Sequence, residues 1–154
     1  CVMKSISKSY GVPGLRLGIL CSANDALIAR IKKQVSIWNI NSFAEFFMQI
    51  YPKYREDYKF ACDQFIQARE DFEEELKKIP YIKVMPSQAN YFFLEVLPPY
   101  KPKELCATLL KKYNILASAC LAKKGIEPNR YMRIAVRNHG DNEKFIEALK
   151  ELAV

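Results

Sequence analysis

The chain has 154 residues, 50% of them hydrophobic and 27% charged, with a net charge of +7 at pH 7. This is globular composition, enough for one core or for a domain plus a piece of another, and no apolar run approaches the ~20 residues of a membrane helix. Five cysteines (Cys1, Cys21, Cys62, Cys106, Cys120) form no C-x-x-C pair and sit mostly among apolar neighbours, which predicts buried, reduced thiols in a cytoplasmic protein rather than disulfides or a zinc site.

The charge is uneven. Residues 1–34 carry six Lys/Arg against one acid and residues 101–139 nine against two, whereas residues 35–100 hold ten acids against seven bases. Basic ends of this kind suit anionic small molecules. A nucleic-acid surface fits less well, because the paired lysines at 32–33, 111–112 and 123–124 lack interleaved aromatics and any nucleic-acid motif.

In chain order, Ser5-Ile6-Ser7-Lys8-Ser9-Tyr10-Gly11-Val12-Pro13-Gly14-Leu15-Arg16-Leu17-Gly18 places a lysine among hydroxyls and an arginine at fixed offsets. An amine captures carbonyls as a Schiff base, and hydroxyl and guanidinium groups are donors for a phosphate dianion. A solvated turn before a strand is the plainer reading of the same residues. Leu15–Ser22 reads as a strand. Asn24 or Ser22 caps a helix over Asp25–Val35, whose Ala26, Ile28, Ala29 and Ile31 form an apolar face. A break at Trp38–Ser42 offers Asn41 or Ser42 as the next cap.

Helices over 42–51 and 53–79 follow, separated at Pro52. In the second, Tyr54, Tyr58, Ala61, Phe65, Ala68 and Phe72 form one stripe, read as core packing. At 1.5 Å per residue this helix reaches ~40 Å, long enough to link two domains. Beyond Pro80 come strands over Tyr81–Met85 and Ala89–Val96, a helix over Pro102–Tyr113, strands over Ile115–Leu121 and Tyr131–Val136 around the turn-rich Lys123–Arg130, and a closing helix from an Asp141 cap to Leu152. This order predicts a two-layer α/β sandwich with a mostly antiparallel sheet. A boundary is expected near residue 40, dividing 1–40 from 41–154.

On the Tyr131–Val136 strand, Met132, Ile134 and Val136 share one face and Arg133, Ala135 and Arg137 the other. Arginine on a sheet face takes a carboxylate partner or points to solvent. His139, beside Gly140 at a helix start, is read as a capping-loop residue.

The Ser5–Gly18 segment resembles the active-site lysine signature of fold-type I, class I/II aminotransferases, in the branch of histidinol-phosphate aminotransferase and threonine-phosphate decarboxylase. Every fixed position of S/T-x-S-K-x-x-x-x-x-G-x-R-x-G is matched. The resemblance implies pyridoxal 5′-phosphate as cofactor, Lys8 as the Schiff-base lysine, Ser5, Ser7 and Arg16 as phosphate ligands, and an amino acid and a 2-oxo acid as substrates. Tyr131–Arg137 resembles the family's late R-I-x-V motif, which implies Arg133 as the substrate-carboxylate residue, with Arg137 beside it either reading a distal substrate group or holding the capping loop at His139–Asp141.

Pro86-Ser87-Gln88-Ala89-Asn90-Tyr91 resembles the family's P-S-x-A-N-F/Y, with Asn90 lining the site or organising the turn. The run Asn114–Cys120 lacks the arginine that meets histidinol phosphate in its aminotransferases, which argues against that substrate. A family member carries a large domain ahead of its lysine and works as a homodimer. The chain is therefore expected to be the C-terminal part of such an enzyme: 1–40 the end of the large domain, 41–154 the linking helix and small domain, inactive alone. Decarboxylation of a phosphorylated amino acid and a non-catalytic binding or dimerisation role are the alternatives.

Overall fold

The computed structural model describes residues 1–122 and 124–153. Lys123, the first residue of the turn expected at 123–130 and of the lysine pair at 123–124, lies outside them. The chain divides into two compact units, Cys1–Cys62 and Asp63–Val154.

The first unit opens with β1 (Val2–Lys4), which pairs antiparallel with β2 (Ile19–Cys21) in the register Met3↔Leu20. Between them stand the single helical turn α1 (Ile6–Ser9) and a 3-10 turn at Pro13–Leu15. Neither β1 nor α1 is foreseen by the sequence reading. The strand expected over Leu15–Ser22 shrinks to three residues, because Leu15 closes the 3-10 turn and Arg16 adopts the left-handed conformation (φ 53°).

The helix α2 (Asp25–Lys32) is capped by Asn24, whose side chain accepts the Leu27 N–H, and it ends short of Val35. Its Ala26 and Ala29 are exposed and only Ile28 and Ile31 are half-buried, so the expected apolar face packs weakly. Asn41 caps α3 (Ser42–Ile50), and Pro52 sits in a 3-10 turn (Tyr51–Tyr54) leading into α4 (Arg55–Lys77). The α4 stripe is core only toward its C-terminal end. Tyr54 and Ala61 are exposed, Tyr58, Phe65 and Ala68 half-buried, and Phe72 buried.

The second unit holds an antiparallel sheet in the order β3 (Ile82–Val84), β4 (Tyr91–Val96), β6 (Tyr131–Ala135), β5 (Ser118–Ala119). The strand expected over Ile115–Leu121 is reduced to β5. Pro at the first turn starts α5 (Pro102–Tyr113), and left-handed Asn114 stops it. The closing helix α6 (His139–Glu151) is capped by Asn138, not Asp141: Asn138 Oδ1 accepts the Asp141 N–H at 2.8 Å.

One core joins Phe72 and Leu76 of α4, Leu105 and Leu109 of α5, and Phe145 and Leu149 of α6 to Phe92 and Leu94 of β4 and Met132 and Ile134 of β6. The ring of Phe72 meets Phe92 edge-on at 5.9 Å and Phe145 at 6.0 Å, a favoured aromatic geometry. The helices therefore cover one sheet face, as a two-layer sandwich requires. The alternation of β6 leaves Arg133 and Ala135 on the other face, exposed.

The cysteines depart from expectation. Only Cys120 is buried, Cys62 and Cys106 are half-buried, and Cys1 and Cys21 are exposed, all as free thiols. Burial pushes the Cys106 thiol up to about 11. No helix among the described residues is long and apolar enough to cross a membrane.

Candidate functional site

The lysine loop belongs to the first unit and is built around buried residues. In α1, Ile6 and Ser7 turn inward while Lys8 and Ser9 remain exposed. Ser5 accepts the Lys8 and Ser9 N–H groups with its main-chain carbonyl at 3.2 and 3.0 Å, and its own hydroxyl makes no capping bond. Lys8 takes part in none of the ion pairs among the described residues.

Gly11, with φ 66°, turns the chain back, a conformation open to glycine at no steric cost. The loop returns through Arg16, an exposed non-glycine residue in the left-handed region. Such backbone strain persists only where neighbours over-determine it, and here they do. The Arg16 guanidinium donates to the Pro13 carbonyl at 3.4 Å. The Leu15 carbonyl accepts the side-chain amide of Asn41 at 2.9 Å, while Asn41 Oδ1 caps α3 by accepting the Ala44 N–H at 2.9 Å.

Ser7 is placed differently from its motif partners. It is 2% exposed, and its hydroxyl accepts the Leu17 N–H at 2.6 Å and donates to the Leu17 carbonyl at 3.2 Å. It faces the fold rather than a ligand. An amine (Lys8), a hydroxyl (Ser5) and a guanidinium (Arg16) are thus left outward on one closed loop. That donor set fits a small molecule bearing a carbonyl and a phosphate.

Beside the loop, Tyr10 packs its ring 4.5 Å from Tyr58 and 4.7 Å from Tyr51, with Lys4 Nζ 5.3 Å from its centroid. Tyr58 donates its hydroxyl to the Ser9 carbonyl at 2.8 Å. A hydrogen bond with Cys62, and then burial, push the Tyr58 phenol up to about 12. The stripe spacing of Tyr58 is visible in the sequence, but nothing there marks its reach to Ser9.

Arg133 and Arg137 belong to the second unit. Arg133 lies at the centre of β6, opposite Phe93 on β4 and Ser118 on β5, with its guanidinium 5.3 Å over the Tyr91 ring. Arg137 is tied to the start of α6: its Nε donates to Asp141 Oδ2 at 2.7 Å and its N–H to Asn142 Oδ1 at 2.9 Å. The Arg137 hydrogen bond holds the Asp141 carboxyl below its usual range.

Asn90 is exposed, and its main-chain carbonyl accepts the Val136 N–H at 3.0 Å. The neighbouring turn is organised by Ser87, whose hydroxyl donates to the Tyr91 carbonyl at 2.7 Å and accepts the Ala89 N–H at 3.1 Å. His139 opens α6 and lies 3.0 Å from Glu143.

One charged group on this sheet face escapes sequence reading. Glu95 is 3% exposed, paired with Arg130 and 3.6 Å from Lys83 Nζ. The Arg130 hydrogen bond lowers its pKa. Its partner is 35 residues away in the chain, and no local spacing announces it.

A family model described as aminotransferase class I and II matches residues 1–151. The chain is 34% identical over 151 residues to a CMP-5′-(3-aminopropyl)phosphonate synthase from Streptomyces rubellomurinus, covering 98% of this chain and 24% of that protein. It is 30% identical to a threonine-phosphate decarboxylase from Salmonella typhimurium, covering 98% and 40%. A solved histidinol-phosphate aminotransferase from Clostridium acetobutylicum superimposes with a TM-score of 0.88 at 28% identity, covering 98% of this chain and 45% of that one. A solved decarboxylase from Sulfurospirillum multivorans gives 0.86 at 29%, covering 99% and 43%. The chain thus spans less than half the length of these proteins.

Proposed function

This chain belongs to the aminotransferase class I and II family, which is pyridoxal-phosphate-dependent, and on that premise we propose that it is the C-terminal part of an enzyme transferring an amino group between an amino acid and a 2-oxo acid. The observation that carries the reading is the closed lysine loop, with Lys8, Ser5 and Arg16 facing outward from it. Lys8 would hold the cofactor's aldehyde carbon, and Arg16 and Ser5 would hold its phosphate. Arg133 binds the substrate's α-carboxylate.

When bound, pyridoxal phosphate supplies an electron sink for the pair left behind as a bond to the substrate's Cα breaks. The Lys8 amine would serve as the base that moves the proton at the substrate's Cα. Residues 1–40 would end a large domain and 41–154 would form the linking helix and small domain of a homodimer.

Borohydride reduction of the cofactor-bound protein, followed by peptide mapping, tests the assignment. The pyridoxyl label is expected on Lys8, and a label on any other lysine overturns it.

One observation favours a second reading. The relatives include a threonine-phosphate decarboxylase and, at 29% identity, an L-serine phosphate decarboxylase from Campylobacter jejuni. The same residues would serve if the Cα–carboxylate bond broke instead. Carbon dioxide would leave, its bonding pair would remain on the Cα side, and Lys8 would deliver a proton to Cα. Release of carbon dioxide from a phosphorylated amino acid, without formation of a 2-oxo acid, would select this reading over transamination.

A further inference from the structure

Ser5 and Ser7 occupy equivalent-looking places around Lys8, yet the fold treats them oppositely: one hydroxyl faces outward and the other is buried. We propose that Ser7 is a positioning residue, whose hydroxyl clasps Leu17 and thereby fixes Lys8 and Arg16 relative to each other. The proposal rests on reading Lys8 and Arg16 as the amine and phosphate-binding groups.

Ser7 spends its bonding capacity inside the fold. Its hydroxyl accepts from the Leu17 N–H at 2.6 Å and donates to the Leu17 carbonyl at 3.2 Å. Its own N–H donates to that same carbonyl at 3.0 Å, and its carbonyl accepts the Val12 N–H at 2.9 Å. A hydroxyl has one proton to donate, and here that proton is taken.

The clasp sits where it controls both outward groups. Lys8 follows Ser7 directly and Arg16 precedes Leu17 directly, so the two side chains leave from the two ends of one hydrogen-bonded bracket. Neither end is stable by itself. A four-residue helix such as α1 is far below the length at which helices persist alone. Arg16 holds a left-handed backbone between the Leu15 peptide, pinned by Asn41, and the Leu17 peptide, pinned by Ser7. Loss of the Ser7 hydroxyl would leave the Leu17 N–H unpaired at a residue only 6% exposed and release one side of that strain.

Pyridoxal, which lacks the phosphate, separates a positioning role from a ligand role. In Ser7→Ala, hydrogen exchange at the Leu17 amide should accelerate, and affinity should fall on the order of tenfold for both pyridoxal phosphate and pyridoxal. Ser5→Ala should weaken pyridoxal phosphate and leave pyridoxal unchanged.

A Ser7→Ala protein that loses affinity for pyridoxal phosphate alone, with Leu17 still protected, would make Ser7 a direct phosphate ligand and overturn the proposal. Faster Leu17 exchange with both affinities intact would also overturn it, reducing the clasp to a stability element. If Ser7→Ala does not fold, Ser7→Thr retains the hydroxyl and should keep Leu17 protected and both affinities within a few fold. A protected Leu17 with both affinities lost refutes the idea. A borohydride label away from Lys8 would instead bring down the site reading, and Leu17 exchange would still report on the clasp.

Discussion

Replacing Arg133 with lysine separates charge from geometry. The residue sits mid-strand between Phe93 and Ser118, with its guanidinium 5.3 Å over the Tyr91 ring. Lysine keeps the charge and most of the stem but loses the planar fork that grips a carboxylate with two parallel bonds. The folded protein should hardly notice, because a cation–π contact at an exposed site contributes about 0.5–1 kcal/mol. A domain of this size then loses a few degrees of melting temperature, at roughly 4–8 °C per kcal/mol.

Substrate binding should suffer more. Disrupting a desolvated, hydrogen-bonded charge pair costs about 2–5 kcal/mol, and each 1.4 kcal/mol is tenfold. The loss in kcat/KM for the amino acid is therefore about 30-fold to several thousandfold, with the lower end expected if Arg133 stays as exposed in the bound state as it is here. Steady-state kinetics with the full protein, together with cofactor absorbance, provide the assay. Absorbance should not change in Arg133→Lys, whereas Arg16→Lys should loosen the cofactor first. If Arg133→Lys binds substrate normally and loses cofactor, the two arginines have exchanged roles. If it alters neither, Arg133 is a solvent-facing strand residue.

Two further outcomes test the scaffold. The Glu95 carboxyl is held below its ordinary 4.5, chiefly by its Arg130 hydrogen bond. Its contribution to stability is therefore complete above that value and disappears as the pH falls through the lowered folded pKa. Glu95→Gln should flatten part of the acid limb of the melting temperature measured against pH; an unchanged limb would mean that the pair contributes nothing. Asn41→Ala should cost about 1–2 kcal/mol through the lost α3 cap. Asn41→Asp restores the acceptor for the Ala44 N–H but not the donor to Leu15. Thermal melts should therefore recover with Asp while hydrogen exchange around Arg16 stays fast, and parallel recovery of both would refute the pin.

Local chemistry made much of the fold legible. The α5 boundaries follow from Pro102 at the first turn and Asn114 beyond the last, and the buried face of β6 follows from Met132 and Ile134 alternating with Arg133. What escaped was set by distant partners. β1 spans three residues, and its register depends on a strand seventeen residues later. Glu95 looks like a solvent-facing strand residue until Arg130 is brought to it. Asp141 and Asn138 are both capping residues three apart, and only the bond from the Asp141 N–H to Asn138 Oδ1 places the helix start at Asn138.

The candidate site divides along the same line. The spacing of Ser5, Ser7, Lys8 and Arg16 is readable because an amine and phosphate donors must leave one short loop together, and a fixed number of residues separates them. Their division of labour is not, since it depends on which side chain the loop turns inward. Two serines flanking one position are chemically identical in a sequence. The fold distinguishes them through Leu17, whose N–H and carbonyl both find their partner in Ser7. A loop that carries an arginine in the left-handed region needs such an internal bracket. The hydroxyl spent on the bracket is then unavailable to a ligand, and on the proposed reading phosphate recognition would fall to Ser5 and Arg16.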